Sequence, residues 1–554
     1  MFKEVTQRKV GVLISISLGL VTLAVAPTTN LDPINVPKMW ALMALSFGVL
    51  GLLLLDIKPF FIKSNWPAVI ASKSLLFFMV IALLTSSAPL TQQLFGAYGR
   101  NTGFFTYLAL VLLFIGAAVA TSENIKKPLL IGFGIAMGVN ALYGAVQALG
   151  KDPVNWSNPY APVIGTFGNP NFVSAFLGMG MALAFSYLVA SGVNVKYKAL
   201  SAGYIVLAFY DILKSDAQQG VIVTLVSAGL VGYFYISTKT KVSILKYGYL
   251  AAGGATFLIG VFGTLQKGPL ASVVYKPSVT YRGDYWHAGI EMIKQHPIFG
   301  VGLDSYGDWY RSARTLAATV RRGPSTVSNA AHNVFIDIGA TAGIFALIAY
   351  LAVIFLGLLA AYRLSKKSKG FDPFFVSIFV TWVGYLIQSI ISINNIALGI
   401  WGWVLPGILI SMEKWEIGNS SNKPEKKKRV PDFSGMGLVA GLVVGGVIGY
   451  LPFNSDANFR YALESGVPDQ IRLAALKWPT SSERVLYAAR VYFENNLPEG
   501  YIELLRASIE LNGRNFDSLK SLLDSNTVSG NEKREILDRL KAIDPHNPDL
   551  KKLG

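Results

Sequence analysis

A histidine and an asparagine head an apolar run in NAAHNVFIDIGATAG, residues 329–343, and His332 is one of four histidines in 554 residues. A neutral imidazole takes up a proton near working pH, which makes histidine the commonest general base. Asn333 suits the start of a helix, where its side-chain oxygen accepts a backbone N–H. Asp337 lies four residues after Asn333 and shares its face. It lies five residues after His332, a poor helical spacing for orienting that imidazole. No His–Asp dyad is therefore expected. A lone histidine at a membrane edge also serves purely structural ends, and residue type alone leaves both readings open.

Cations precede this motif. The stretch 265–331 carries Lys267, Lys276, Arg282, Lys294, Arg311, Arg314, Arg321 and Arg322. An arginine fork grips phosphate through two parallel hydrogen bonds. Within the stretch, YRGDYWHAGIEMIKQ (281–295) reads as a short helix, with Arg282, Tyr285, Gly289, Met292 and Ile293 on or near one face. Tyr285 and Trp286 suit a membrane interface, which places Arg282 near headgroup depth. Pro297, Gly300 and Gly302 end that helix and start a loop. Neutral variation in a long loop, or Arg282 reaching out to water, would also account for these charges. A third polar patch is GTFGNPNF (165–172), where Gly165 and Gly168 permit a tight turn and Asn171 can cap the following helix. A plain loop and cap explains that patch equally well.

Other chemistries are disfavoured. His287, His296 and His332 lack an HxxxH spacing and have no acidic cluster beside them, so no metal site is expected. No phosphate-binding loop, nucleophile elbow or dinucleotide fingerprint is present, so neither a cofactor nor ATP hydrolysis is expected. The chain has no cysteine, which excludes disulfides and thiol catalysis and suits an oxidising compartment. The net charge of +17 invites a nucleic-acid partner. Most of the charges lie in short loops between apolar runs, however, which argues against one.

The elements that must position these residues are helices in a bilayer. The chain is 52% hydrophobic and 15% charged, against about 25% charged in soluble domains. Its mean hydropathy is +0.45. Apolar runs near the ~20 residues that span a bilayer recur along it. An all-α polytopic membrane protein of about 12–13 transmembrane helices is expected. Thirteen candidate spans begin near Val10, Met39, Pro67, Gly103, Pro128, Asn171, Ala199, Gln218, Lys246, His332, Phe371, Ile396 and Met436. The first, after Lys3, Arg8 and Lys9, reads as a retained helix rather than a cleaved signal peptide. The weakest are the short one from Ala199 and the one from Ile396. With a cytoplasmic N-terminus, every inside loop is basic, from Lys58 and Lys63 through Lys126 and Lys127 to Lys426–Arg429.

The expected organisation is a transmembrane domain over 1–412 with an outer loop at 265–331. A basic cytoplasmic linker follows at 413–433, then a final span at 434–453 and an extracytoplasmic helical domain at 454–554. In that last region KWPTSSERV (477–485) and LNGRNFDSL (511–519) align at an offset of 34, and IDPHNPDL (543–550) follows about one period on. A period of 34 is that of tetratricopeptide (TPR) helix pairs. A small irregular helical domain is the alternative. Either way an interaction role with a protein partner is expected.

The order GTFGNPNF, then YRGDYWHAGIEMIKQHPIFGVGLDSY, then AHNVFIDIGATAGIFALI resembles the O-antigen ligase and O-antigen polymerase superfamily of bacterial membrane glycosyltransferases. The resemblance covers about Val10 to Met412. It implies a metal-independent transfer at the outer face of the cytoplasmic membrane. The donor would be a saccharide on a polyprenyl diphosphate, and the acceptor a hydroxyl of a glycan, lipid or protein, as in O-antigen ligases, polymerases and protein O-oligosaccharyltransferases. It implies His332 as general base and Arg282 as diphosphate clamp, with Arg321 and Arg322 as further donor-binding cations. Asn333, Asn169, Asn171, Tyr281, Trp286 and Gln219 are expected in support. One departure stands out. The family often carries a second diphosphate-binding arginine where this chain has LKSDAQQGVIV (213–223), with Gln218 or Gln219 at that place. A solute transporter is the alternative, although such proteins more often show charges at the bilayer midplane.

Overall fold

The computed structural model describes residues 4–553 except 56, 157–161, 265, 269–270, 275–276, 369, 419–433 and 526. The described residues form helices and no strand. In order these are α1 (Glu4–Leu23), α2 (Asn35–Leu54), α3 (Trp66–Thr85), α4 (Leu90–Phe95), α5 (Phe104–Ala120), α6 (Lys126–Ala148), α7 (Pro170–Val189), α8 (Val195–Lys214), α9 (Gln218–Lys239) and α10 (Ser243–Thr264). Next come α11 (Ala271–Val274), α12 (Pro277–Gln295), α13 (Tyr306–Ala313), α14 (Leu316–Arg322), α15 (Val334–Ala342), α16 (Ile344–Lys367), α17 (Pro373–Ile391), α18 (Ile396–Gly418) and α19 (Ser434–Ser465). The remainder is α20 (Pro468–Ala475), α21 (Ser482–Glu494), α22 (Pro498–Leu511), α23 (Phe516–Asp524), α24 (Gly530–Ile543) and α25 (Pro548–Lys551).

Among the described residues nine helices are long and apolar enough to cross a membrane: α2, α3, α6, α7, α9, α16, α17, α18 and α19. The chain is a multi-pass membrane protein. α5 is a shorter apolar helix. α1, α8 and α10 stand where three further spans are expected. The span expected to begin at His332 is instead two helices, α15 and α16, broken at Gly343. Of the basic linker at 413–433, the first residues extend α18, while Lys426 to Arg429 fall outside the described residues, as do Lys276 and Lys369.

The bundle has two distinct ends. At one, Lys9 bonds Ser434, Thr121 bonds Ser411, and Lys414 reaches Asn65 and the Ala118 carbonyl. At the other, Thr166 donates to the Thr22 carbonyl at 2.9 Å, Asn35 to Gly99 at 2.8 Å and Ser86 to Val301 at 3.3 Å. α18 runs through the middle, packed on α1, α2, α5, α16 and α17, with Trp401 and Trp403 fully buried. Its indole nitrogens need partners in a dry core, and Trp401 Nε1 finds Thr22 Oγ1 at 3.0 Å.

The most extensive helix–helix contact is that of α2 with α19. Gly437, Gly441, Gly445 and Gly449 recur every fourth residue and turn one face of α19 onto α2. A Cβ on Gly445 would lie 2.2 Å from the Met43 carbonyl oxygen, and one on Gly441 2.0 Å from that of Phe47. Lipid gives apolar helices little reason to associate, so close backbone approach through small residues supplies the contact. α19 then continues unbroken to Ser465, for 32 residues in all. The boundary expected at 453/454 therefore lies inside one helix, which carries the C-terminal region directly from α2.

α20 to α25 build a separate core around Ile471, Ala489, Leu505, Leu522 and Leu540. The 34-residue offset has a local cause. Ser481 caps α21 and Asn515 caps α23, each accepting an N–H three residues on. Asn547 caps α25 in the third unit. What repeats is a turn, a capping side chain and the helix it starts.

Gly445→Leu should force α2 and α19 apart, an overpacking cost of about 1–3 kcal/mol. Gly446→Leu adds the same bulk where a Cβ meets nothing within 4 Å. Thermal unfolding in detergent should fall by several degrees for the first variant and stay unchanged for the second.

Candidate active site

α15 is only nine residues long, and its break leaves backbone groups to be satisfied. The segment HPIFGVG, 296–302, lies along it and satisfies them. Val301 N–H donates to Ala340 O at 2.9 Å and Gly302 N–H to Thr341 O at 3.1 Å, while Ile344 N–H donates to Pro297 O at 2.9 Å. Gly343 has φ +85°, and a Cβ there would sit 2.1 Å from Ile298 O. A side chain would break both the conformation and the contact.

His332 precedes α15 with φ +52°, a left-handed conformation uncommon outside glycine. Its neighbours hold it there. Asn333 caps α15, its Oδ1 accepting Phe335 N–H at 3.0 Å and Ile336 N–H at 3.1 Å, as expected. Trp286 Nε1 on α12 donates to the His332 carbonyl at 3.3 Å. The Tyr285 ring stacks on the imidazole, with centroids 4.9 Å apart and planes 27° apart. Tyr285 is in turn fixed from α13, where Tyr306 donates to its carbonyl at 2.6 Å and Tyr310 packs edge-on at 5.8 Å. Among the described residues no hydrogen bond engages the imidazole nitrogens, which leaves them available to a ligand. Asp337 does not face the ring. Its Oδ1 accepts the Ala331 N–H at 3.0 Å, in keeping with the absence of a His–Asp dyad.

The electrostatics are cationic. Burial, then the charges of Arg282, Arg100 and Arg322, push the His332 imidazole down from 6.5 to about 3, so the site holds it neutral. Arg322 bonds the Tyr285 hydroxyl and lies 4.4 Å over the Tyr281 ring. Arg282 is half-buried with an Nε that has no partner among the described residues. Arg321 is paired with Asp284, at 2.6 Å and 2.7 Å to its two oxygens. The fold thus gathers His332, Arg282, Arg322, Tyr281, Trp286 and Asn333. Asn169, Asn171 and Gln219 form another group, around the starts of α7 and α9. There Asn169, not Asn171, caps α7, because Pro170 occupies the first helical position and Asn171 donates its N–H to the cap. Gln219 is buried, and α9 at Gly220 presses against Ser174.

Residues 203–351, which contain His332 and all three candidate arginines, match the family model described as O-antigen ligase. This match agrees with the resemblance to the O-antigen ligase and O-antigen polymerase superfamily carried by the sequence motifs. The chain is also 21% identical over 243 residues to the exopolysaccharide production protein ExoQ of Rhizobium meliloti (strain 1021), covering 41% of this chain. The chain spans about half (50%) the length of this curated relative.

Two contributions escaped sequence reasoning. One is Arg100, from the loop before α5. An arginine in a loop expected to lie outside, where the positive-inside bias disfavours one, was its signal. The other is the seating of the C-terminal domain on α13. Asp544 is fully buried and accepts from Arg314 at 2.6 Å and Arg311 at 3.2 Å. Arg514 lies 3.7 Å over the Trp309 ring, and Asn512 donates to Asp308 at 2.9 Å. α13 is therefore held on one face by this domain while its other face supports Tyr285. Asp544→Ala would leave the buried Arg314 guanidinium without a carboxylate and Arg311 with Asp517 alone, at 3.6 Å, at a cost of about 3–5 kcal/mol. Hydrogen exchange should show α13 and α24 opening far more readily in that variant, with α2 and α19 unchanged.

Proposed function

We propose that the protein is a membrane glycosyltransferase, moving a saccharide from a polyprenyl-diphosphate donor to an acceptor hydroxyl of a glycan, lipid or protein. The observation that carries this reading is a neutral, strained histidine ringed by arginines at one end of a helical bundle. The family match and the exopolysaccharide role named for the relative support it. His332 takes the acceptor's hydroxyl proton as that oxygen attacks the anomeric carbon. The bond from that carbon to the diphosphate breaks, and its electron pair leaves with the lipid diphosphate. Arg282 and Arg322 bind that anion and gain most as its charge grows, which lowers the barrier. Arg322 fills the place of a second clamp in a chain that has glutamine at 218 and 219. No metal enters the scheme, and proton and charge are both handled by side chains.

We place the His332 end on the outer face of the cytoplasmic membrane of a bacterium, with the N-terminus cytoplasmic and the C-terminal domain extracytoplasmic. The basic loops at the opposite end support this orientation. The C-terminal domain, seated on α13 beside the site, is then placed to meet an acceptor or a protein partner.

Reconstituted in vesicles with lipid-linked saccharide, the protein should release lipid diphosphate only when an acceptor is present. His332→Ala should abolish that release with insertion unchanged, and full activity would rule out the base. Arg282→Lys should lose about 10²-fold or more, because a point charge does not replace the fork. The pH dependence has a definite sign. A histidine depressed to about 3 stays in its base form throughout the physiological range. kcat/KM, which reports the free enzyme, should be flat from about pH 5 to about pH 8. Bound diphosphate neutralises the arginines and raises the imidazole pKa, so kcat should fall with acid at a higher pH than kcat/KM. An acid limb near 6.5 in kcat/KM would contradict the cationic surroundings of His332.

A further inference from the structure

We propose that Asp337, held by Arg100 and Asp304, is a positioning residue that fixes where the His332 imidazole stands. This rests on the reading of His332 as the general base. Arg100 reaches from the loop between α4 and α5 into the protein and is 5% exposed. Its Nη2 lies 3.3 Å from Asp304 Oδ1 and 3.3 Å from Asp337 Oδ2, and its Nη1 donates to the Asn329 carbonyl. Each carboxylate ties down a different piece of chain. Asp304 Oδ2 accepts Ala97 N–H at 2.7 Å and Thr102 N–H at 3.2 Å, and its Oδ1 accepts the Thr102 hydroxyl at 3.0 Å. Asp337 Oδ1 accepts Ala331 N–H at 3.0 Å, one residue before the histidine.

Segments 97–102, 304 and 329–337 are thereby joined through one guanidinium. None of these groups bonds the imidazole itself. They act on the backbone just before a residue held at φ +52°, a conformation that relaxes unless its surroundings over-determine it. Asn333 fixes the chain after His332 by capping α15, and the Asp337–Arg100 pair fixes it before. Bulk stability is a poor account of the cluster, because apolar side chains of similar volume often replace buried ion groups at no loss. What the cluster supplies that an apolar core would not is a fixed direction for the Ala331 N–H and the Asn329 carbonyl. Those two groups set the entry of the chain into His332.

The test compares the wild type, His332→Ala, Asp337→Ala and Asp337→Asn in the vesicle assay. A misplacement of about 1 Å costs on the order of 10²-fold in rate. Asp337→Ala should therefore lower kcat about 100-fold, with donor KM within about twofold and the pH profile unmoved in position. Asp337→Asn keeps an acceptor for Ala331 N–H but releases Arg100, so it should fold readily and lose about tenfold. The second readout is independent of transfer: carbethoxylation of His332 by diethyl pyrocarbonate, followed on its peptide by mass spectrometry, should quicken in both variants. Wild-type kcat and unchanged carbethoxylation in Asp337→Asn would overturn the inference, even if Asp337→Ala fails to fold. Activity in His332→Ala would instead overturn the reading of His332 as the general base, and the carbethoxylation rates would still decide whether Asp337 sets the histidine's place.

Discussion

Breaking a helix near a membrane surface exposes backbone groups that lipid cannot satisfy, and the candidate site is organised around that constraint. Where α15 ends at Gly343, the HPIFGVG segment supplies donors to its last carbonyls and an acceptor to the first N–H of α16. This fixes the direction in which α15 points and holds its first residue, and His332 just before it, against α12. Gly300 and Gly343 belong to this arrangement because a Cβ on either would meet the facing backbone, and Gly302 because its own would meet the Ser86 and Ala88 side chains.

The charge distribution follows from the same geometry. A histidine surrounded by arginines and shielded by Tyr285 has no reason to carry a proton, so the site presents a neutral base inside a positive field. Such a field has a use when an anion enters it, and a lipid diphosphate is an anion whose charge rises as it leaves. The buried carboxylates of Asp304 and Asp337 face Arg100 and the backbone rather than the imidazole. They do not compete with the arginines for the anion proposed as donor.

Two packing devices hold the rest in place. The glycine face of α19 on α2 anchors the C-terminal domain through one continuous helix, and Asp544 then locks that domain to Arg311 and Arg314 on α13. Because α13 also carries Tyr306 and Tyr310, which brace Tyr285, the domain is mechanically continuous with the site. It is not an appendage on a flexible tether.

The sequence by itself determined the helical class, the position of nearly every long helix, the His332–Asn333 motif and its cationic surroundings. These depend on apolar run length, charge placement and capping chemistry, all of which are local. α18 looked weak from its sequence because a helix buried on all sides needs no lipid-facing character, and only its neighbours show that it is central. The tertiary structure alone decided the break at Gly343, the capping of α7 by Asn169 and the pairing of Arg321 with Asp284. It alone revealed the reach of Arg100 across more than 200 residues to Asp304 and Asp337. Contacts between residues so far apart leave no period or spacing to read. They arise only when packed helices bring separate loops to one end of the bundle.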